Sequence, residues 1–149
     1  MKTLNDYFKT EFGQIALILF KMLKLDEMDF EVELFYSHED IEGGKIGKIL
    51  NDKGKCWFLA MRCRKDFVKA CGGGKRIADD LMGEDGSDPS DEYKDLVAYL
   101  NTGMLDKTVK GKLNDRRESA MLTLVYYMCQ LVCGNYVDFM EGDGMYASK

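Results

Sequence analysis

KIGKILNDKGKCWFLAMRC, residues 45–63, is the stretch on which the fold assignment turns. Asn51-Asp52-Lys53-Gly54 has the composition of a tight turn, because Asn and Asp hydrogen-bond nearby backbone and Gly accepts positive φ. Lys45 to Leu50 lies before it and Lys55 to Cys63 after it. The second segment has Trp57, Leu59 and Met61 at one parity and Cys56, Phe58 and Ala60 at the other. Apolar residues on both faces predict a central strand. The stretch therefore reads as a β-hairpin with its aromatics in the core and its bases at the strand ends.

Upstream, Phe30, Val32 and Leu34 alternate with Glu31 and Glu33, a period of two that predicts a third strand with an acidic outer face. Ser37 to Gly44 reads as an acidic loop. Before it, Leu4 to Lys24 has helical apolar spacing, with Thr3 as cap and Asp6 in a capping-box position. Gly13 interrupts that helix at about 1 kcal/mol relative to Ala. Downstream, Asp66 to Cys71 is a short helical segment stopped by Gly72-Gly73-Gly74, and Lys75 to Met82 is a further helix. Asp88-Pro89 reads as a cap followed by Pro at the first helical position, with a helix to about Asn101 and a stop near Gly103. The last helix runs from Asn114 to about Met140, with Gly142 and Gly144 after it. Twelve of the fourteen residues from Ala120 to Cys133 are apolar, which predicts either a central core helix or a helix with a partner on its second face. The expected fold is α+β: one domain over residues 1–149, with a small antiparallel sheet of about three strands packed against several helices.

Charge is segregated along the chain. Lys45 to Arg76 holds ten bases and two acids, whereas Ile77 to Glu92 holds seven acids and no base. The first 44 residues carry ten acids against four bases. The net charge of −5 hides this basic centre between acidic flanks. Segregated charge selects partners by sign and speeds encounter. The overall pI near 5.0 argues against general nucleic-acid affinity, since the flanking acids repel phosphate. Ten Met among 149 residues supply core filling or an adaptable binding face. Asp6 and Glu11 precede the first apolar run, so no secretory signal is expected, and by composition no segment reads as a membrane span. Five scattered Cys suggest reduced thiols in a cytoplasm.

Few residues offer catalytic chemistry. His38, the only His, stands beside Glu39 and Asp40, which favours its charged form and suits neither a neutral base nor a zinc ligand. Cys129 and Cys133 share a helix face, but tetrahedral zinc needs two further ligands. Gly72-Gly73-Gly74-Lys75-Arg76 resembles an anion cradle at a helix start. It departs from the Walker pattern: Lys69 stands where a Gly is required, and Arg76 where a hydroxyl is required. The acids from Asp79 to Glu92 lack the EF-hand order. In element order, the hairpin followed by Asp66 to Gly72 resembles the chemotaxis CheC/CheX phosphatases. Ala98 stands where their Glu would precede Asn101, so their catalytic pair is absent.

These features point to a non-enzymatic regulator, adaptor or inhibitor that docks onto a protein or nucleoprotein through charge, a profile also seen in small acidic inhibitors carried by phages. The expected partner- or phosphate-binding residues are Arg62, Arg64, Lys65, Lys69, Gly73, Gly74, Lys75 and Arg76. The expected acidic face is Asp79, Asp80, Glu84, Asp85 and Asp88. The alternative is phosphate-ligand binding, of a nucleotide or nucleic acid, at the Gly72 to Arg76 loop with the basic hairpin. No metal or cofactor is expected, and the opposed charge blocks make a homodimer reasonable.

Overall fold

The 45–63 stretch is helical. Asn51 ends one helix, its side-chain amide donating to the Gly47 carbonyl at 3.0 Å. Asp52 begins the next, accepting the Lys55 N–H at 3.1 Å. The turn-forming pair thus closes one helix and caps another, a job for which the same side chains are equally suited. In this computed structural model, which describes residues 1–84 and 87–142, every regular element among the described residues is an α-helix. The α+β expectation and its three strands are overturned. The chain divides into two compact units, residues 1–55 with 126–149 and residues 56–125.

The first unit contains α1 (Leu4–Phe8), α2 (Glu11–Leu23), α3 (Glu27–Glu39), α4 (Lys45–Leu50) and the C-terminal part of α8 (Leu113–Glu141). Thr3 and Asp6 form the expected capping box. The single helix predicted from Leu4 to Lys24 is broken at Lys9 and Thr10, where Thr10 caps α2 by accepting the Gly13 N–H at 2.9 Å. A Cβ on Gly13 would lie 1.6 Å from the Tyr7 carbonyl oxygen, so glycine is there for close approach of α2 to the end of α1. Tyr7 is fully buried and donates to the Val132 carbonyl at 2.8 Å. Its ring meets Tyr136 edge-on at 5.1 Å, and Phe20 meets Phe30 at 5.0 Å.

Residues 30–34 belong to α3, not to a strand. Asp26 caps this helix through the Asp29 N–H. Phe30, Glu33, Leu34 and Ser37 are buried at spacings of three and four, while Val32 is exposed. Glu33 hid this period in the sequence. Its carboxylate accepts the Ile46 N–H at 2.9 Å and the Ser37 hydroxyl at 3.4 Å. Gly44, the residue before α4, has no side chain to cap that helix, and Glu33 does so from α3. His38 is the exposed last-turn residue of α3, not part of a loop.

The second unit contains α5 (Lys53–Ala70) from Cys56 onward, α6 (Gly74–Met82), α7 (Asp91–Thr102) and α8 up to Val125. Ser90, two residues after the expected cap Asp88, caps α7, and Gly103 ends it at φ 79°. The buried side of α5 is Cys56, Leu59, Ala60, Cys63 and Phe67, one helical stripe. Arg116 of α8 makes a two-pronged ion pair with Asp95 of α7, both bonds 2.7 Å long, and also donates to the Asp106 carbonyl at 3.0 Å. Around this pair lies an open cleft of about 410 Å³, whose walls include Leu81, Leu96, Asp115 and Thr123.

Helix α8 is long and apolar enough to cross a membrane by length and composition, which corrects the reading that no segment is. Most of its apolar window is nevertheless buried in the protein: Met121, Leu124, Val125, Met128, Cys129, Val132 and Cys133 are all fully inaccessible. That pattern matches the expected core helix.

Candidate docking face

Winding residues 56–70 as a helix sorts their side chains differently from a strand. Leu59 and Ala60 turn inward. Trp57, Phe58 and Met61 turn outward, with 37%, 44% and 82% of their surface exposed. At 100° per residue, Phe58, Met61, Lys65 and Lys69 form one outward stripe, with Arg62 on one side and Trp57 on the other. Arg62, Lys65 and Lys69 are exposed. Among the described residues none of these three forms an ion pair. The face thus combines two aromatics, a flexible thioether and three cations. The sequence reading had placed Trp57 and Phe58 in the core. The available signal was the helical spacing of Cys56, Leu59, Ala60, Cys63 and Phe67, which leaves the other apolar residues on the solvent side.

The remaining expected cationic residues have other duties. Arg64 is turned inward and donates to the Leu100 carbonyl at 2.9 Å, serving the C-terminal end of α7. Lys75 forms an i,i+4 pair with Asp79 at 2.7 Å. Arg76 is exposed, and its side chain runs over Gly72. Gly73 adopts φ 115° and donates to the Val68 carbonyl at 2.9 Å. Gly74 donates to the Asn101 side chain at 2.9 Å, and a Cβ there would lie 2.9 Å from the Leu100 Cβ. The Gly72 amide is bonded to the Lys69 carbonyl. The three glycine amides that an anion cradle would use are therefore engaged within the fold, two ending α5 and one holding α6 against α7.

The expected acidic face is divided as well. Asp79 is held by Lys75 and by the Tyr93 hydroxyl, whose pKa that bond raises. Glu84 accepts both the backbone N–H and the hydroxyl of Ser90, each at 2.9 Å, which fixes the entry to α7. Asp80 and Asp88 are exposed, and Asp85 lies outside the described residues. A second acidic surface, not anticipated as a site, lies on α3. Met28, Val32 and Phe35 are exposed there. With Glu27 and Glu31 they line an open hollow of about 520 Å³.

Among the described residues no group of three or more His, Cys, Asp or Glu is placed to hold a metal ion. All five cysteines are free thiols. Burial, with the Glu33 charge adding, pushes the Cys133 thiol up to about 12, and burial pushes Cys63 up to about 11. Both thiols hold their protons at neutral pH, so neither is a ready nucleophile.

No protein family, curated protein or solved structure matches this chain. The resemblance to the CheC/CheX phosphatases rested on a hairpin that is helical here, and it lapses.

Proposed function

We propose that this protein is a non-enzymatic binding protein of the cytoplasm that docks onto an anionic protein surface through the outer face of α5. One observation carries the reading: Trp57, Phe58 and Met61 stand in solvent directly beside Arg62, Lys65 and Lys69. Interface centres are enriched in Trp, Tyr, Met and Arg, because these side chains bury large areas while still meeting polar groups. The cations steer an acidic partner into encounter, and the aromatics and Met61 supply most of the affinity once water leaves. The engaged amides of Gly72 to Gly74 count against the phosphate-ligand alternative.

The test is affinity purification from the source cells with wild type and with Met61→Glu/Lys65→Glu. A protein recovered only by wild type is then purified and titrated while the emission of Trp57, the sole tryptophan, is followed. Docking predicts direct, salt-weakened binding that shifts this emission. Equal recovery by both forms, or binding that leaves Trp57 unchanged, contradicts it. A single-stranded oligonucleotide run in parallel separates the classes: saturable quenching of Trp57 by that probe would reassign the face to nucleic acid.

A further inference from the structure

We infer that the acidic apolar face of α3 on one copy of the chain docks onto the basic aromatic face of α5 on a second copy. Each face is an exposed helical stripe in its own unit. On α3 the stripe is Met28, Val32, Phe35 and Glu39, with Glu27 and Asp29 beside it and no Lys or Arg anywhere in the helix. On α5 it is Phe58, Met61, Lys65 and Lys69, with Arg62 and Trp57 beside it. Both stripes span eleven residue steps, about 16 Å of helix, so they match in length.

They also match in chemistry. The α3 face is apolar with negative charge only, while the three flanking side chains of α5 carry positive charge. Pairing α3 with α3, or α5 with α5, sets like charges together; pairing α3 with α5 joins opposite charges. The hollow lined by Glu27, Met28, Glu31, Val32 and Phe35 provides a recess for an apolar knob whose neighbours are cations. Met61, the most exposed of the three large apolar residues on α5, is flanked by Arg62 and followed one turn later by Lys65.

Both faces belong to one chain, so each copy offers a donor face and an acceptor face. The contact is a modest one between two helices, which places it among weak, reversible associations. Self-association covers the α5 face, so a docking partner competes with it. That consequence alone rests on the docking reading; the association itself does not.

The test is sedimentation velocity of the full chain over a wide concentration range, with Trp57 emission recorded on the same samples. Wild type is expected to associate reversibly, with emission moving to shorter wavelength as Trp57 loses water, and to dissociate at high salt. Met61→Glu should weaken association at least about tenfold, because it places an uncompensated charge in the contact.

The decisive arm is a charge exchange. Arg62→Glu/Lys65→Glu/Lys69→Glu makes the α5 face acidic, and Glu27→Lys/Asp29→Lys/Glu39→Lys makes the α3 face basic; all six positions are exposed. Each variant alone pairs like with like and is expected to be monomeric. Mixed in equal amounts, both α3–α5 pairings become opposite in sign and association returns. A wild type that stays monomeric at every concentration overturns the inference, as does a mixture that remains monomeric. A monomeric wild type that still binds a partner through Trp57 overturns this inference while leaving the docking reading intact.

Discussion

Replacing Arg116 with Leu tests the ion pair that joins α7 to α8. Asp95 is only 6% exposed and receives two bonds of 2.7 Å from the Arg116 guanidinium. Without Arg116, its remaining donor from outside α7 among the described residues is the Asp106 N–H at 3.3 Å. The same change frees the Asp106 carbonyl and so loosens the connection between α7 and α8. Leaving this carboxylate short of donors beside an open cleft that admits water costs about 1–3 kcal/mol. For a chain of this size that corresponds to a fall of roughly 2–12 °C in Tm. Asp95→Leu removes the acceptor of both bonds, but the Arg116 guanidinium can turn to water, so this change should cost less. The double variant removes both charges, and an apolar pair of similar volume is often close to neutral, so it should recover most of the loss. Urea unfolding followed by circular dichroism measures all four forms. If Arg116→Leu unfolds within about 0.5 kcal/mol of wild type, or the double variant is no better than the worse single one, the pair does not hold this unit as described.

Two further outcomes follow from the first unit and the thiols. Glu33→Ala should leave the Ile46 N–H without its acceptor, cost about 1–3 kcal/mol and speed hydrogen exchange in α4, while Glu33→Gln, which keeps an acceptor oxygen, should retain most of the protection; equal exchange in the two variants would refute the cap. Stability should also fall on the alkaline side, because Cys133 ionises near 9.0 when unfolded but is pushed up to about 12 when folded. The folded form holds its proton more tightly, so the contribution is intact below pH about 9 and is lost as pH rises toward 12; it amounts to about 2–3 kcal/mol at pH about 11, and Cys133→Ala should flatten this part of the profile.

Much of the helix punctuation was legible in the sequence. The box of Thr3 and Asp6, the stop at Gly103 and the extent of α8 rest on local chemistry: a side-chain acceptor, a residue that tolerates positive φ and a long apolar run. The three supposed strands failed for nameable reasons. Glu33 occupies a core position of α3 because it caps α4, so the helical apolar period lost a member and Phe30, Val32 and Leu34 looked like alternation. In α5, Trp57, Phe58 and Met61 lie on the solvent side, so the helix read as apolar at both parities. Asn51 and Asp52 serve a helix end and a helix start as readily as a turn, and local sequence does not separate these roles. The misreading and the candidate site have one origin: apolar residues placed outside the core confuse a pattern that assumes burial, and they are also what marks the docking face. Arg64 and Gly74 were legible as a cation and a loop glycine, but their tasks depend on Leu100 and Asn101, far away in sequence.

The most direct test of the central claim is collisional quenching of Trp57 in the dilute wild-type chain, comparing iodide with caesium at equal ionic strength. A solvent-facing indole on the border of the face that carries Arg62, Lys65 and Lys69 lies in a positive field, so iodide should quench better than caesium, and the preference should fall in Arg62→Glu/Lys65→Glu/Lys69→Glu. Emission typical of a buried indole, or equal quenching by the two ions in wild type, would contradict an exposed cationic face on α5.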